Sequence, residues 1–209
     1  MNSQATTLQA LEPHQEIGIT ISWGKLMMWL FLCSDAMSFG GLIAAYASYR
    51  VTDPAWPNPQ EILGITLTGI MTFILIVSSV TMVKALAAAK TGDLKAYKRF
   101  MLFTVLGGLF FLGCQAYEWT HLIEHGAEHP VAKGGLILSH HQFAATFFVL
   151  TGFHGAHVTG GVIYNLIMYF LGRKGRFNLE RSGPVEVAGL YWHFVDLVWI
   201  LIFTFVYLI

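Results

Sequence analysis

Five ionisable side chains lie inside otherwise apolar segments of this 209-residue chain: Asp35, His154, His157, His193 and Asp196. On insertion scales an ionisable group at the centre of a bilayer costs about 2.5–3.5 kcal/mol, so such groups have partners or carry out chemistry. The two histidines at 154 and 157, and the pair at 193 and 196, are spaced i, i+3 and share a helix face. The chemistry open to them is haem ligation, proton transfer or hydrogen bonding between helices.

Haem ligation would require one histidine from each of two helices at the same depth. His157 and His193 satisfy that requirement. Asp196 is close to His193 on its helix, however, and a buried carboxylate is a natural hydrogen-bond partner for an imidazole nitrogen. Aromatic side chains such as Phe153 and Phe194 also crowd these faces. Hydrogen bonding is the favoured interpretation, and haem ligation is the alternative.

A second set of histidines, His121, His125 and His129, is spaced i, i+4, i+8. On a continuous helix they would line one face, as metal ligands do. Gly126 and Pro130 predict that the helix ends here, so we expect a solvated loop and no metal site. We find no G-x-S-x-G nucleophile motif and no phosphate-binding glycine loop, so the sequence predicts no catalytic residue.

The composition defines the class of protein. Hydrophobic residues make up 55% of the chain and charged residues only 11%, whereas soluble domains carry about 25% charged residues. The formal net charge is +0, which argues against a nucleic-acid partner. The chain is therefore predicted to be an integral membrane protein.

Five segments contain the roughly 20 apolar residues that a membrane helix needs. They cover about 25–49, 62–89, 100–119, 142–171 and 187–209. Residues 1–21 are polar and show no basic region followed by an apolar stretch, so we expect no cleavable signal peptide. We predict a polar cytoplasmic segment over 1–21 and one five-helix transmembrane domain over 22–209.

The distribution of basic residues predicts the topology. Most of the 12 basic residues flank the second and fourth linkers, namely Lys84, Lys90, Lys95, Lys98, Arg99, Arg173, Lys174, Arg176 and Arg181. The positive-inside rule places both linkers in the cytoplasm. Five spans then leave the amino terminus in the cytoplasm and the carboxyl terminus in the periplasm.

A helix rises about 1.5 Å per residue, which places all five ionisable groups in the central to inner part of the membrane. We therefore predict that the first, fourth and fifth spans face each other through one buried polar cluster. Glu118 lies near the outer end of the third span and is predicted to be an acid at the outer interface. Gly152, Ala156 and Gly160 are small residues at i, i+4, i+8, which favours close packing within the chain, with a partner-chain face as the alternative.

Four segments, in order along the chain, resemble subunit III of the haem–copper terminal oxidases. They are LCSDAMSFGGLIAAY at 32–46, QAYEW at 115–119, TGFHGAHVTGG at 151–161 and YWHFVDLVWILIFTFVYL at 191–208. The similarity covers nearly the whole chain and corresponds to the five-helix bacterial form of the family. Asp35 stands where the family often has Glu, and Trp119 where it has Tyr.

The resemblance implies an all-α bundle of five transmembrane helices with a V-shaped lipid-binding cleft, in the bacterial inner membrane. It implies a non-redox accessory subunit of a cytochrome c oxidase, aa3- or caa3-like, that reduces oxygen to water and pumps protons. The haems and copper are then expected in partner subunits I and II, with none on this chain. Within the family this subunit stabilises subunit I and supports its proton uptake. A quinol oxidase is the alternative.

Two further expectations follow from the resemblance. The buried acid–His–acid set of the family corresponds to Asp35, His154 and Asp196. Bound phospholipid is expected, with Arg173 and Arg176 as head-group candidates; simple anchoring by positive charge is the alternative. From a different class of protein, a small proton or ion transporter with a buried Asp and His relay is a more distant alternative.

Overall fold

A computed structural model describes residues 22–54, 56–128, 142–174 and 182–209. Five long helices account for most of these residues: α1 (Trp23–Thr52), α3 (Ile65–Thr91), α4 (Leu94–Glu128), α5 (Gln142–Arg173) and α6 (Gly183–Ile202). A short helix, α2 (Pro59–Ile62), lies between α1 and α3, and a π-helical segment (Phe203–Leu208) continues α6. No strand occurs in the described ranges, and the predicted all-α fold of five long helices is confirmed.

Four of these helices are long and apolar enough to cross a membrane, by length and composition: α1, α3, α4 over Leu94–Glu124, and α6 together with the π-helical segment. Helix α5 has 32 residues, so it is also long enough. His154, His157 and Asn165 interrupt its apolar run. The chain is therefore a multi-pass membrane protein whose α5 carries much of the buried polarity.

Helices α3, α4, α5 and α6 form a ring. Helix α3 packs against α4 and α6, and α5 packs against the same two helices from the opposite side. Helix α1 lies outside the ring and contacts α5 and α6. Only 17% of its most apolar window is buried, against 39–44% for the other three membrane-spanning candidates, so α1 is a peripheral helix.

The tight turn between α3 and α4 follows from the sequence KTGD. Gly92 ends α3 with φ +76°, in the left-handed region that glycine adopts without strain. The Asp93 carboxylate then accepts hydrogen bonds from the backbone N–H groups of Lys95 and Ala96, at 3.0 Å each, and begins α4. We call this end of the bundle the basic end, after Lys90, Lys95, Lys98, Arg99 and Arg173.

Helices α4 and α5 approach each other closely because large side chains of α4 lie against glycines of α5. A Cβ atom on Gly172 would lie 2.0 Å from the Tyr97 ring, and one on Gly155 would lie 2.9 Å from Gln115 Oε1. The Tyr97 hydroxyl donates to the Met168 carbonyl at 2.9 Å. Glycine at these positions allows the contact between the two helices.

The small-residue stripe on α5 is only partly used within the chain. Gly152 packs against the Trp119 ring of α4, where a Cβ would lie 3.0 Å from the ring. Ala156 and Gly160 are exposed. The predicted packing within the chain therefore applies at Gly152, while the main contact with α4 lies on the neighbouring face of α5.

Helix α4 continues to Glu128, between Gly126 and Pro130, so His121 and His125 lie on the helix and the prediction of a loop for these two residues is wrong. One glycine inside a helix costs only about 1 kcal/mol, which a long amphipathic helix tolerates. His121 is exposed on α4, and His129 lies outside the described residues. Among the residues whose placement is described, no group of three His, Cys, Asp or Glu side chains is arranged to hold a metal ion.

Candidate functional site

The clearest polar contact between helices joins α1 to α5. His157 Nε2 lies 3.2 Å from Asp35 Oδ1, and both side chains are nearly buried, 14% and 8% exposed. His157 Nδ1 lies 2.7 Å from the Phe153 carbonyl oxygen. A carbonyl only accepts, so Nδ1 carries a hydrogen, and a further proton must lie between Nε2 and the carboxyl group. The pair is neutral overall whichever partner holds that proton, which suits a site inside the membrane.

Aromatic side chains enclose this pair. The Phe39 ring of α1 lies 5.2 Å from the His157 ring, centroid to centroid, in an edge-on arrangement. The Tyr191 hydroxyl of α6 donates to the His157 carbonyl at 2.9 Å. Helices α1, α5 and α6 therefore meet around Asp35 and His157, as the depth prediction expected of these three spans.

His154 occupies a different environment, although it lies only one turn from His157. Its side chain is fully buried, stacks on the Trp199 ring at 4.9 Å and lies edge-on to Phe111 at 5.5 Å. Neither ring nitrogen has a hydrogen-bond partner within the described part of the chain. His154 is therefore enclosed by aromatic rings and makes no hydrogen bond to Asp35 or Asp196 in this structure.

His193 and Asp196 face α3. His193 Nδ1 lies 2.5 Å from the Ser79 hydroxyl, and the Asp196 carboxyl group lies beside the same hydroxyl. Asp196 Oδ1 is buried and has no hydrogen-bond partner among the described residues. This contact joins α6 to α3 at the middle of the bundle.

Two tryptophans of α6 extend the contact with α3 in both directions. Trp192 Nε1 donates to the Ser78 hydroxyl at 3.1 Å, and Trp199 Nε1 donates to the Thr72 hydroxyl at 2.8 Å. Both indole rings are almost completely buried. Because buried indole N–H groups need an acceptor, the hydroxyl groups of α3 fix the register between α3 and α6.

The five ionisable groups that were grouped by depth thus lie in three places. Asp35 and His157 contact each other, and His193 and Asp196 face α3. His154 lies apart from both pairs and packs against aromatic rings. Residues spaced i, i+3 on a helix point about 60° apart, which follows from 3.6 residues per turn. That angle is enough to direct neighbouring residues toward different helices.

Glu118 is buried, 5% exposed, whereas the sequence placed it at the outer interface. The Thr68 hydroxyl donates to its Oε1 and the Tyr207 hydroxyl donates to its Oε2, each at 3.0 Å. The carboxylate therefore joins α3, α4 and the π-helical segment. The burial could not be read from the sequence because it depends on how the segment after α6 folds over α4.

The last turn of α1 and the short helix α2 also contact the π-helical segment. Arg50 donates to the Ile209 backbone oxygen, and Gln60 Nε2 donates to the Leu208 carbonyl at 3.0 Å. At the basic end, Lys25 and Glu186 form an ion pair of 2.9 Å between the first turns of α1 and α6. Together with Asp35 and His157, these contacts hold α1 against the ring.

Sequence reasoning missed the hydroxyl residues of α3. Thr68, Thr72 and Ser79 are spaced by four and seven residues, which places them on one face of the helix. All three are buried. Their regular spacing within an apolar span was the signal that could have revealed a polar interface.

The histidines do not fit a haem between helices. Both ring nitrogens of His157 are engaged, one with Asp35 and one with a backbone carbonyl. His193 faces α3, on another side of the bundle. In the described part of the structure, His157 and His193 therefore do not present two free imidazole nitrogens to a common cleft, as haem ligation would require.

Of the two predicted head-group residues, Arg173 is exposed at the last turn of α5 and Arg176 lies outside the described residues. A groove of about 250 Å³ opens between α1 and α5, toward the end of the bundle opposite the basic end. Its lining is mostly apolar: Leu42, Ala45, Tyr49, Gln142, Ala145, Thr146 and Val149.

The fold and these contacts define a multi-pass helical membrane protein whose buried polar groups join its helices. Comparison with known proteins identifies the family. The family model for cytochrome c oxidase subunit III matches residues 12–209. The chain belongs to this family, and the resemblance noted from the four segments is confirmed.

Several relatives are similar over most of their length. The cytochrome c oxidase subunit 3 of Alkalihalophilus pseudofirmus is 34% identical, covering 100% of this chain and 98% of the relative. The Synechocystis protein of the same name is 40% identical over 86% of this chain and 73% of the relative. The probable cytochrome c oxidase subunit 3 of Mycobacterium tuberculosis is 37% identical over 86% of this chain and 85% of the relative.

Membership of the family establishes the broad role. The chain is an accessory subunit of a haem–copper oxidase, part of an oxidoreductase complex and therefore of a hetero-oligomer in a membrane. The family carries no metal site of its own.

Proposed function

We propose that this chain is subunit III of an aa3- or caa3-like cytochrome c oxidase in a bacterial inner membrane. The complex reduces oxygen to water and pumps protons, with its haems and copper in subunits I and II. The names of the relatives support cytochrome c as electron donor, and a quinol oxidase remains the alternative. In this proposal the chain packs beside subunit I, stabilises it and supports its proton uptake.

One observation carries the proposal that the role is structural. Four ionisable groups in the bundle form side-chain contacts, and each contact joins two helices. The contacts are Asp35 with His157, His193 with Ser79, and Glu118 with Thr68 and Tyr207. A transporter would instead require its groups to form a path along the membrane normal. Here aromatic rings surround His154 between the two polar interfaces, which favours a supporting subunit over a relay.

We also propose that the chain holds phospholipid. The groove between α1 and α5 is apolar and suits an acyl chain, while Arg173 at the basic end suits a phosphate group. Thr146 in the groove and Arg173 are 27 positions apart on α5, which is about 40 Å along the helix. The two features would therefore serve different lipid molecules, one in each leaflet.

The test is purification of the chain by affinity tag from its native membrane in mild detergent. Recovery with a haem-containing subunit and oxygen-reducing activity is expected, and faster turnover with reduced cytochrome c than with quinol would support the proposed donor. Faster turnover with quinol would favour the alternative. A colourless chain recovered alone would contradict the proposal and favour the transporter.

The lipid proposal has its own test. Arg173→Gln combined with Arg176→Gln should reduce the anionic phospholipid retained by the purified complex, measured by mass spectrometry. The matched control is Lys90→Gln combined with Lys95→Gln, which removes the same number of positive charges, from the basic end of the bundle. An equal loss from both double variants would indicate general charge attraction and would contradict a specific site.

A further inference from the structure

His193, a polar side chain on the outer surface formed by α3 and α6, has a hydrogen-bond partner within the described part of the chain for only one of its two ring nitrogens. His193 bonds Ser79 through Nδ1, and its Nε2 has no hydrogen-bond partner among the residues that the structure describes. The side chain is partly exposed. His193 is ten residues into α6, or about 15 Å from Gly183, and so lies near the middle of the membrane span.

A polar nitrogen facing lipid at this depth is unfavourable because hydrocarbon offers no hydrogen bond. Ionisable residues in membrane helices almost always face protein or a water-filled cavity. If the surface around His193 faced lipid, Nε2 would therefore lack a hydrogen-bond partner.

Exposed apolar side chains surround this polar centre. On α6, Leu197 and Leu201 follow His193 at successive turns and are 62% and 49% exposed. On α3, Ile76 and Val83 lie three residues before and four residues after Ser79 and are 38% and 52% exposed. An apolar surface with a central hydrogen-bonding group is typical of contacts between membrane helices. We call this surface the His193 face, defined by Ile76, Ser79, Val83, His193, Leu197 and Leu201.

We propose that a transmembrane helix of another oxidase subunit docks on the His193 face and hydrogen-bonds His193 Nε2 with a neutral polar side chain. The inference rests on the proposed function, because the oxidase complex supplies the partner. Imidazole Nε2 donates in one tautomer and accepts in the other, and a hydroxyl or carboxamide group can satisfy either. Leu197 and Leu201 would then be covered by the apolar residues of the same partner helix.

The location is tested by photo-crosslinking in the intact complex. The photoreactive residue p-benzoylphenylalanine replaces Leu197 in one variant and Leu106 in the control. Leu106 is similarly exposed, at 50%, but lies on α4, across the ring from α6. We expect the Leu197 variant to form a covalent adduct with one other subunit, and the Leu106 variant to form little or none.

Three outcomes would overturn the proposal. An intact complex in which the Leu197 variant labels only lipid would show that the face is lipid-exposed. Adducts of equal yield from both variants would show that the partner subunit does not dock specifically on the His193 face. A wild-type chain that does not co-purify with any haem-containing subunit would refute the proposed function, and the inference with it; this result is distinct from the first two, which require the intact complex.

The hydrogen bond is tested by substitution of His193. His193→Leu should weaken retention of the chain in the complex about threefold to tenfold, as expected for one hydrogen bond between membrane helices. His193→Gln, which keeps a donor and an acceptor, should remain within about twofold of wild type. Retention is measured as the fraction of complexes that keep this chain across a detergent titration.

Ser79→Ala is the control for the internal contact, because it removes the bond to Nδ1 and leaves Nε2 in place. Retention within about twofold of wild type is expected for it. Equal losses for Ser79→Ala and His193→Leu would assign the effect to packing within the chain and overturn the proposed bond. Wild-type retention by His193→Leu would do the same.

Discussion

Replacement of Gly172 by alanine is expected to push α4 away from α5 at the basic end. The new Cβ would lie 2.0 Å from Tyr97 Cε1 and 2.8 Å from Cδ1. Carbon atoms in contact are normally about 3.5–4.0 Å apart, so the ring must move by about 1.5 Å or more. The ring cannot move freely, because Tyr97 is fully buried and its hydroxyl donates to the Met168 carbonyl at 2.9 Å.

The size of the effect follows from these two constraints. Overpacking a buried site costs about 1–3 kcal/mol. If the ring moves enough to break its hydrogen bond, a buried hydroxyl and carbonyl lose their partners, which costs about a further 1–3 kcal/mol. Each kcal/mol lowers the melting temperature of a chain of this size by about 2–4 °C. With both costs the total is about 2–6 kcal/mol, so we expect Gly172→Ala to lower the melting temperature by about 4–24 °C, measured by thermal unfolding in detergent.

Gly113→Ala is the matched control, since a Cβ at Gly113 on α4 would meet nothing within 4 Å. It should be neutral or slightly stabilising, because alanine favours a helix over glycine by about 1 kcal/mol. Adding Tyr97→Leu to Gly172→Ala should recover part of the loss by making room for the new methyl group. Equal melting temperatures for Gly172→Ala and Gly113→Ala would refute the close contact.

Three further predictions concern the buried polar groups. Asp35→Ala should destabilise the purified complex by about 1–3 kcal/mol and shorten the time for which it stays active during turnover, because His157 loses its partner. Ser38→Ala on the same helix should change neither the stability nor the active lifetime. Glu118→Leu should lower the melting temperature more than Glu118→Gln, which can still bond both neighbouring hydroxyls, and equal effects would contradict the buried contact. Trp199→Phe keeps an aromatic ring but loses the indole bond, so thermal unfolding should show a loss of about 0.6–1.7 kcal/mol.

The five long helices could be predicted because each depends on its own segment. Apolar runs of about 20 residues and turn sequences such as KTGD act locally, and the helices follow them within a few residues at most ends. Helix α4 extends past Trp119 to Glu128, beyond its predicted span. The extension is a helix in a more polar stretch, which hydropathy alone does not detect.

The partners of the buried groups could be predicted only in part. Depth follows from the rise per residue, so the sequence correctly suggested that α1, α5 and α6 meet near Asp35 and His157. The direction in which each side chain points depends on the rotation of every helix about its axis, which no single segment determines. For that reason Ser79 as the partner of His193, and Tyr207 as the partner of Glu118, came only from the structure.

The polar contacts divide the bundle into a firmly joined part and a peripheral helix. Helix α6 is bonded to α3 by Trp192 and Trp199, which are buried within the ring, and by His193 at the outer surface. The polar contacts of helix α1 include Asp35 with His157, Lys25 with Glu186 and Arg50 with Ile209, and most of its surface is exposed. Contacts between ionisable side chains depend on protonation and on solvent access more than tryptophan–hydroxyl bonds do. Loss of stability should therefore begin at α1, so that weakening Asp35 opens the groove between α1 and α5 before it disturbs α3 and α6.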